Sequence, residues 1–338
     1  MNTKRGGIAV VLAAALVGVV GCEQGQNEPQ TGSQAQQPPA QTPAPAAQTR
    51  APARPASSVT GIPDRNDREA MLARGKYLVE TIAGCGNCHT PHNPDGTLNQ
   101  EMAYAGAFVI EEPAFKAYAK NITPDMETGI GSWSEDDIVK ALREGVRPDG
   151  TLLGPPMSFL FYRNLSDTDA YAIAMYMKTV RPIRNEVPPS EYRFPLMPYG
   201  PPVTNVPDVP RDDPVKYGEY LAGPVGHCMD CHTRYKEGQI QWHLPGLGGN
   251  AYANVFGLGW TAVSANITPA ALGSWTDEEI KRAIREGVSR DGRRLLPAMP
   301  FELYRNIEES DLDAIVAYLR SLPPLTEEDA QREPPEAQ

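Results

Sequence analysis

Positive charge, cysteine, histidine and aromatic residues are all in short supply in this chain of 338 residues. Thirty-one Lys and Arg stand against 42 Asp and Glu, giving a formal net charge of −11. Nucleic acid and anionic lipid surfaces are therefore poor partners, whereas a basic patch on another protein would be steered towards it. Aromatics make up only 7% while Gly and Pro number 30 and 34, a balance that suits small helical domains wrapped by long ordered loops. Long hydrophobic runs are lacking as well. The longest, sixteen apolar or small residues ending at Gly21, falls short of a ~30 Å hydrocarbon core at ~1.5 Å per residue, which disfavours a stable spanning helix.

What is present at the N-terminus is an export signal, with Lys4-Arg5 followed by a short apolar stretch. Its end, Val19-Val20-Gly21-Cys22, resembles a bacterial lipoprotein signal. That resemblance implies lipidation of Cys22 and a mature chain held at the periplasmic side of a bacterial membrane. A plain signal peptide with an incidental cysteine is the alternative. Acyl chains anchor durably because each buried CH₂ contributes ~0.8 kcal/mol. Loss of Lys4 and Arg5 with the leader takes the charge from −11 to −13. Residues 30–60 contain no Leu, Ile or aromatic, so they cannot offset their ordering entropy and read as a tether.

The four remaining cysteines lie in two copies of one motif, Cys85-Gly-Asn-Cys88-His89 and Cys228-Met-Asp-Cys231-His232. Each reads as a covalent c-type haem attachment, with two thiols for the porphyrin vinyl groups and an adjacent imidazole for the iron. A zinc site would want further thiols, and only Cys22 is left. A redox dithiol of thioredoxin type would follow a strand, whereas both copies follow helical, glycine-punctuated segments.

The motifs belong to a longer internal repeat. Gly75-Lys-Tyr77-Leu78 matches Gly218-Glu-Tyr220-Leu221, Asn121-Ile-Thr-Pro124 matches Asn266-Ile-Thr-Pro269, and Gly131-Ser-Trp133 matches Gly273-Ser-Trp275. Arg143-Glu-Gly-Val146 and Tyr162-Arg-Asn164 recur as Arg285-Glu-Gly-Val288 and Tyr304-Arg-Asn306, all at offsets of 142 to 145. Each repeat carries three helix signals: one before the cysteines, one opened by a capping box at Ser134 or Thr276, and one over about 166–178 or 309–320. The expected organisation is all-α, two tandem class I-like cytochrome c domains. Its parts are a signal peptide at 1–21, a lipidated tether at 22–66, a first domain at 67–182, a Pro-rich linker at 183–213, a second domain at 214–324 and a polar tail at 325–338. Nine prolines between Arg181 and Asp213 forbid a helix there and predict an extended connector. Within it, Phe194, Leu196 and Met197 suggest contact with a domain surface.

Met157 and Met299 align at offset 142 and lie 68 and 67 residues after His89 and His232. They are the candidate distal ligands, and a thioether there stabilises ferrous iron relative to a second histidine. The alternative is that both only pack against the porphyrin, with Met102, Met126 or His243 ligating. His92 and His227 lie too close to the motifs to reach the opposite haem face. Trp133 and Trp275 either donate to propionates or fill the core, and Arg143 and Arg285 read as helix-surface residues able to neutralise a propionate.

NITPDMETGIGSWSEDDI at 121–138 and NITPAALGSWTDEEI at 266–280, with LLPAMPFELYRNI and DLDAIVAYLRSLPP, resemble the cytochrome c subunits of membrane-associated bacterial dehydrogenases over about residues 68–324. The resemblance implies two covalently bound haem c groups held by Cys85, Cys88, Cys228 and Cys231. It further implies His89 and His232 as proximal ligands and Met157 and Met299 as distal ones. Electrons would come from a dehydrogenase subunit and pass to an oxidase, a reaction centre or a soluble cytochrome. No acid, base or nucleophile is needed, so the chain alone is not expected to be catalytic. A dihaem peroxidase or an oxidoreductase of a small sulfur compound is the competing reading. The first repeat departs from the family's Pro-Ala-Met-Pro with Pro-Pro-Met-Ser, and the third domain of many relatives is absent.

Overall fold

A computed structural model describes residues 62–332. The predicted lipidation site at Cys22, with its signal and most of its tether, lies outside the described residues. In the first repeat the helices are α1 (Arg68–Glu80), α2 (Cys85–His89), α3 (Glu135–Glu144), α4 (Phe159–Tyr162) and α5 (Asp167–Met177). The second repeats them as α6 (Pro214–Tyr220), α7 (Cys228–His232), α9 (Asp277–Glu286), α10 (Phe301–Tyr304) and α11 (Glu309–Ser321), with a short extra helix α8 (Pro269–Leu272). Both predicted capping boxes form: Ser134 with Asp137 opens α3, and Thr276 with Glu279 opens α9. Each of these helices ends on a left-handed glycine, Gly145 or Gly287.

The all-α expectation is overturned. Among the described residues the fold is mixed α/β, with eleven α-helices and three small antiparallel sheets. Strands β1 (Ala107–Glu112) and β2 (Phe115–Ala119) form a hairpin turning at Pro113-Ala114, and β3 (Glu191–Tyr192) adds to its edge. Two further pairs follow α7: β4 (Tyr235–Lys236) with β5 (Gln239–Ile240), and β6 (Ala251–Ala253) with β7 (Thr261–Val263). These strands occupy the stretches read as long loops. The hairpin has a reason to form, because Val109, Ile110 and Ala117 are buried together with Val255 of the second repeat.

The Pro-rich connector runs along the first repeat. Glu191 pairs with Lys116, Lys120 donates to the carbonyls of Val187 and Pro188, and Arg163 donates to those of Tyr199 and Pro201. Phe194 and Met197, suggested as contacts from sequence, stay exposed.

Within each repeat the first and last helices cross at a glycine. A Cβ on Gly75 would stand 1.9 Å from the Ala172 carbonyl oxygen, and one on Gly218 would stand 1.8 Å from that of Ala314. Only glycine permits backbones this close.

The two repeats share one buried cluster containing, among others, Leu78, Leu165, Ile173, Leu221, Leu312 and Ile315. Across its middle they exchange side chains. Tyr220 donates to Asp169 at 2.6 Å, and the matching Tyr77 donates to Asp311 at 2.9 Å. Each hydroxyl also accepts a backbone N–H at 3.2 Å, from Ser166 and Glu308 respectively.

The cations that face these aspartates come from different places. Arg74 in α1 grips Asp169 through two bonds of 2.8 and 2.9 Å. The equivalent of Arg74 in α6 is Tyr217, so Arg211 from the connector reaches Asp311 instead, at 3.3 Å, with its guanidinium over the Tyr217 ring.

The carboxyl groups consequently titrate in opposite directions. Burial opposes the Asp169 charge, but the Arg74 pair and the bonds from Arg74 and Tyr220 hold its pKa below the ordinary range. Burial dominates at Asp311 and pushes its pKa up, with Arg211 and Tyr77 only partly offsetting it. Asp169 therefore adds stability that is complete above its unfolded pKa and lost as pH falls through the lower folded value. Asp311 contributes in the reverse sense, its part being lost as pH rises through the raised folded value. Urea titration near pH 7 should show Asp169→Asn costing about 3–5 kcal/mol, because it strands a buried guanidinium. Asp311→Asn should cost about 1 kcal/mol, since the amide oxygen still accepts from Tyr77 and Arg211, 24% exposed, keeps access to water. Equal costs would contradict this ordering.

Candidate functional site

Both Cys-x-x-Cys-His motifs are folded as one-and-a-half-turn helices entered through a left-handed residue, Gly84 before α2 and His227 before α7. Non-glycine residues seldom adopt this conformation. His227 is packed edge-on against the Tyr162 ring of the first repeat, with centroids 5.4 Å apart. The turn places the two thiols and the imidazole of each motif along one short helix.

His89 Nδ1 donates to the Lys120 carbonyl oxygen at 2.7 Å, and His232 Nδ1 donates to that of Ala265 at 2.7 Å. A ring nitrogen committed this way as donor leaves Nε2 as the free lone pair, which is the state of an imidazole ligand. Burial lowers the pKa of both histidines and so favours the neutral ring.

The thiols are shifted the opposite way from reactive dithiols. Burial pushes Cys85 up to about 12, Cys88 to about 11, Cys228 to about 11 and Cys231 to about 12. Thiol–disulfide exchange depends on thiolate, so these environments do not favour it. Among the described residues no group of three or more His, Cys, Asp and Glu side chains forms a metal cluster. Each repeat instead offers a pair of thiols and one oriented neutral imidazole. That donor set fits a covalently attached, nitrogen-ligated cofactor.

The Asn-Ile-Thr-Pro repeats acquire a role that sequence reading did not assign. They begin directly after the carbonyls of Lys120 and Ala265 that hold the histidines. Asn121 Oδ1 accepts from the Thr123 N–H at 3.0 Å and from its hydroxyl at 2.7 Å, while its amide donates to Ile183 O and Thr128 Oγ1. Asn266 repeats the turn with Thr268 and donates to Leu325 O. Each asparagine ties the histidine-holding segment to the chain that leaves the repeat's last helix. The signal was present in the exact recurrence of the four residues.

Met157 and Met299 are both partly buried against the shared cluster. Each occupies an equivalent loop, with Met157 O accepting from Phe159 N and Met299 O accepting from Phe301 N at 2.8 and 2.9 Å. Their loops are tied back by Leu153 N to Gly145 O and by Leu295 N to Gly287 O. Met126 is 68% exposed, which removes the apolar surroundings expected of a thioether ligand. Trp133 and Trp275 lie half-buried against the cluster. Their backbone carbonyls accept from Lys178 and Arg320 respectively.

Arg143 departs from its expected surface position. It is 4% exposed and pairs with Asp167 at 2.8 Å, while also donating to Leu165 O. Arg285 makes the same link to Glu309 and Ile307 O. Both hold the second helix of a repeat to the start of its last.

The repeats meet through these sites. Pro300 and Leu303, just after Met299, lie close to Gly84 at the entry to α2. Reciprocally, Ser158 and Tyr162, just after Met157, contact α7 and its entry. The Tyr304 side chain, of the second repeat, lies close both to Cys228 of its own repeat and to Cys88 of the other. The two attachment helices are therefore neighbours across the repeat boundary.

No family model matches the chain. It is homologous to the cytochrome c subunits of bacterial alcohol, gluconate and fructose dehydrogenases and to a diheme cytochrome c-type protein. The cytochrome c subunit of a quinone alcohol dehydrogenase from Gluconobacter oxydans is 32% identical over 281 residues, 77% of this chain and 56% of that protein. The fructose dehydrogenase cytochrome subunit of Gluconobacter japonicus is 30% identical over 275 residues, 75% and 52% respectively. A diheme cytochrome c-type protein of Cereibacter sphaeroides is 26% identical over 265 residues, 74% and 86%. The chain spans little more than half the length of the curated alcohol and fructose dehydrogenase subunits that it matches.

Asn121→Ala removes four hydrogen bonds of a buried turn and should destabilise the protein by about 1–3 kcal/mol. At about 2–4 °C per kcal/mol for a body of this size, the loss is readable as a lower melting temperature. An unchanged melting temperature would show that the turn is held by other contacts.

Proposed function

We propose that this chain is a dihaem c-type electron carrier, acting as the electron-transfer subunit of a dehydrogenase. The observation that carries the reading is the twice-built site: a Cys-x-x-Cys-His helix whose histidine Nδ1 is engaged by a backbone carbonyl at 2.7 Å in both repeats. Cys85 and Cys88 would hold one haem and Cys228 and Cys231 the other, with His89 and His232 as proximal ligands. Met157 and Met299 would supply the distal thioethers. Haem c contributes an iron that takes or gives one electron without making a bond to substrate.

The protein's own part is to fix the imidazoles, exclude water with the shared apolar cluster and hold the two attachment helices side by side. The expected domains, 67–182 and 214–324, would each hold one haem while sharing this contact. A dehydrogenase subunit would supply electrons, and an oxidase, a reaction centre or a soluble cytochrome would take them up. The net charge of −11 favours partners that present a basic face.

Lipidation at Cys22 would hold the carrier at the periplasmic face of a membrane. Among the described residues no helix is long and apolar enough to cross one. Peptide mapping of haem-bearing fragments and the thioether-to-iron absorption band test this reading, with cell fractionation for the anchor. Met157→Ala and Met299→Ala should each remove about half of that band while leaving both haems attached, and Cys22→Ser should release the protein to the soluble fraction. Retention of the full band in both methionine variants, or peroxide turnover by high-spin haem in the native protein, would contradict the reading.

A further inference from the structure

The residue just before each motif's second thiol differs in charge between the repeats. In the second motif it is Asp230, and in the first its equivalent is Asn87. Both oxygens of the Asp230 carboxylate are engaged. Ser158 Oγ donates to Oδ2 at 2.7 Å, and the Tyr235 hydroxyl donates to Oδ1 at 2.6 Å. Ser158 directly follows Met157, so the methionine loop of the first repeat is latched to the attachment helix of the second.

The reciprocal contact is built differently. The residue after Met299 is Pro300, which has no donor to offer Asn87. A cavity of about 380 Å³ opens there, lined by both residues and by Met299. Its carboxylates, Asp95, Glu286 and Glu302, share it with Arg294 and Arg305. Most other features of the two sites are matched, including the 2.7 Å histidine bonds and the methionine turns. A carboxylate within the motif helix, anchored in the second repeat and replaced by an amide in the first, is thus a defined difference between near-equivalent sites.

We propose that Asp230 is a positioning residue that makes the two redox centres unequal. Its charge, fixed against the second attachment helix by Ser158 and Tyr235, stabilises the oxidised state of that centre and holds its potential below that of the first. An electron delivered to the second centre by a redox partner then passes to the first. With haems held at both motifs, the step would oxidise the second iron and reduce the first by the same single electron, with no proton or bond exchanged. This inference rests on the dihaem reading proposed above.

Potentiometric titration of the full-length protein tests it, with haem content measured on each sample. The native protein should titrate in two waves. Asp230→Asn should raise the lower wave, shifting the electron's partition between centres about tenfold, the scale of one unit charge in a partly screened interior. Asn87→Asp, at the mouth of an open groove, should lower the upper wave and does not depend on Asp230→Asn folding. A protein with two haems whose waves ignore both substitutions, or whose upper wave responds to Asp230→Asn, overturns the role of Asp230 and leaves the dihaem reading standing. Fewer than two haems in the native protein would overturn both.

Discussion

Tyr220 reaches Asp169 and Tyr77 reaches Asp311, and the rest of the architecture depends on this buried exchange. Each bond crosses from one repeat to the other, in an interior where hydrogen bonds to a carboxyl group are strong and an unmatched one is costly. The tyrosines project from α1 and α6 and the aspartates from α5 and α11, the same helices whose backbones touch at Gly75 and Gly218. The loops that follow Met157 and Met299 each touch the opposite repeat's Cys-x-x-Cys-His helix or its entry.

The exchange is symmetric in its tyrosines and asymmetric in its cations. Arg74 belongs to the first helix of its repeat, whereas Arg211 has been recruited from the connector to do the corresponding work over Tyr217. The proline-rich segment is therefore part of the interface as well as a link between repeats. A buried pair with good bidentate geometry stabilises its charge, while a longer and less enclosed contact does not overcome the desolvation of Asp311. The same kind of asymmetry reappears at Asp230 and Asn87, where a duplicated frame carries an acid in one copy and an amide in the other.

Much of the site was legible in sequence because it is written in local chemistry. The Cys-x-x-Cys-His motifs, the capping boxes at Ser134 and Thr276 and the matched methionine loops each need only a few adjacent residues. The sheets were not legible. Glu191 pairs with Lys116 far along the chain, and Val109 and Ile110 find their apolar partner in Val255 of the other repeat. Nothing in the local pattern of those short segments names such partners, and the all-α expectation failed there. Arg143 misled for a related reason: it lies on an amphipathic helix but is drawn inward by Asp167 at the start of α5. Asn121 and Asn266 were visible as repeats, but their purpose depends on the carbonyl just before each, which sequence does not display.

If each Cys-x-x-Cys-His helix holds a haem, as proposed, electrons equilibrate inside the molecule. The most direct measurement is the rate at which a single injected electron redistributes between the centres after pulsed photoreduction, followed across a range of protein concentrations. A first-order rate independent of concentration is the predicted result. A rate that rises in proportion to concentration would mean that electrons move only when molecules collide, and would contradict the side-by-side arrangement of working centres.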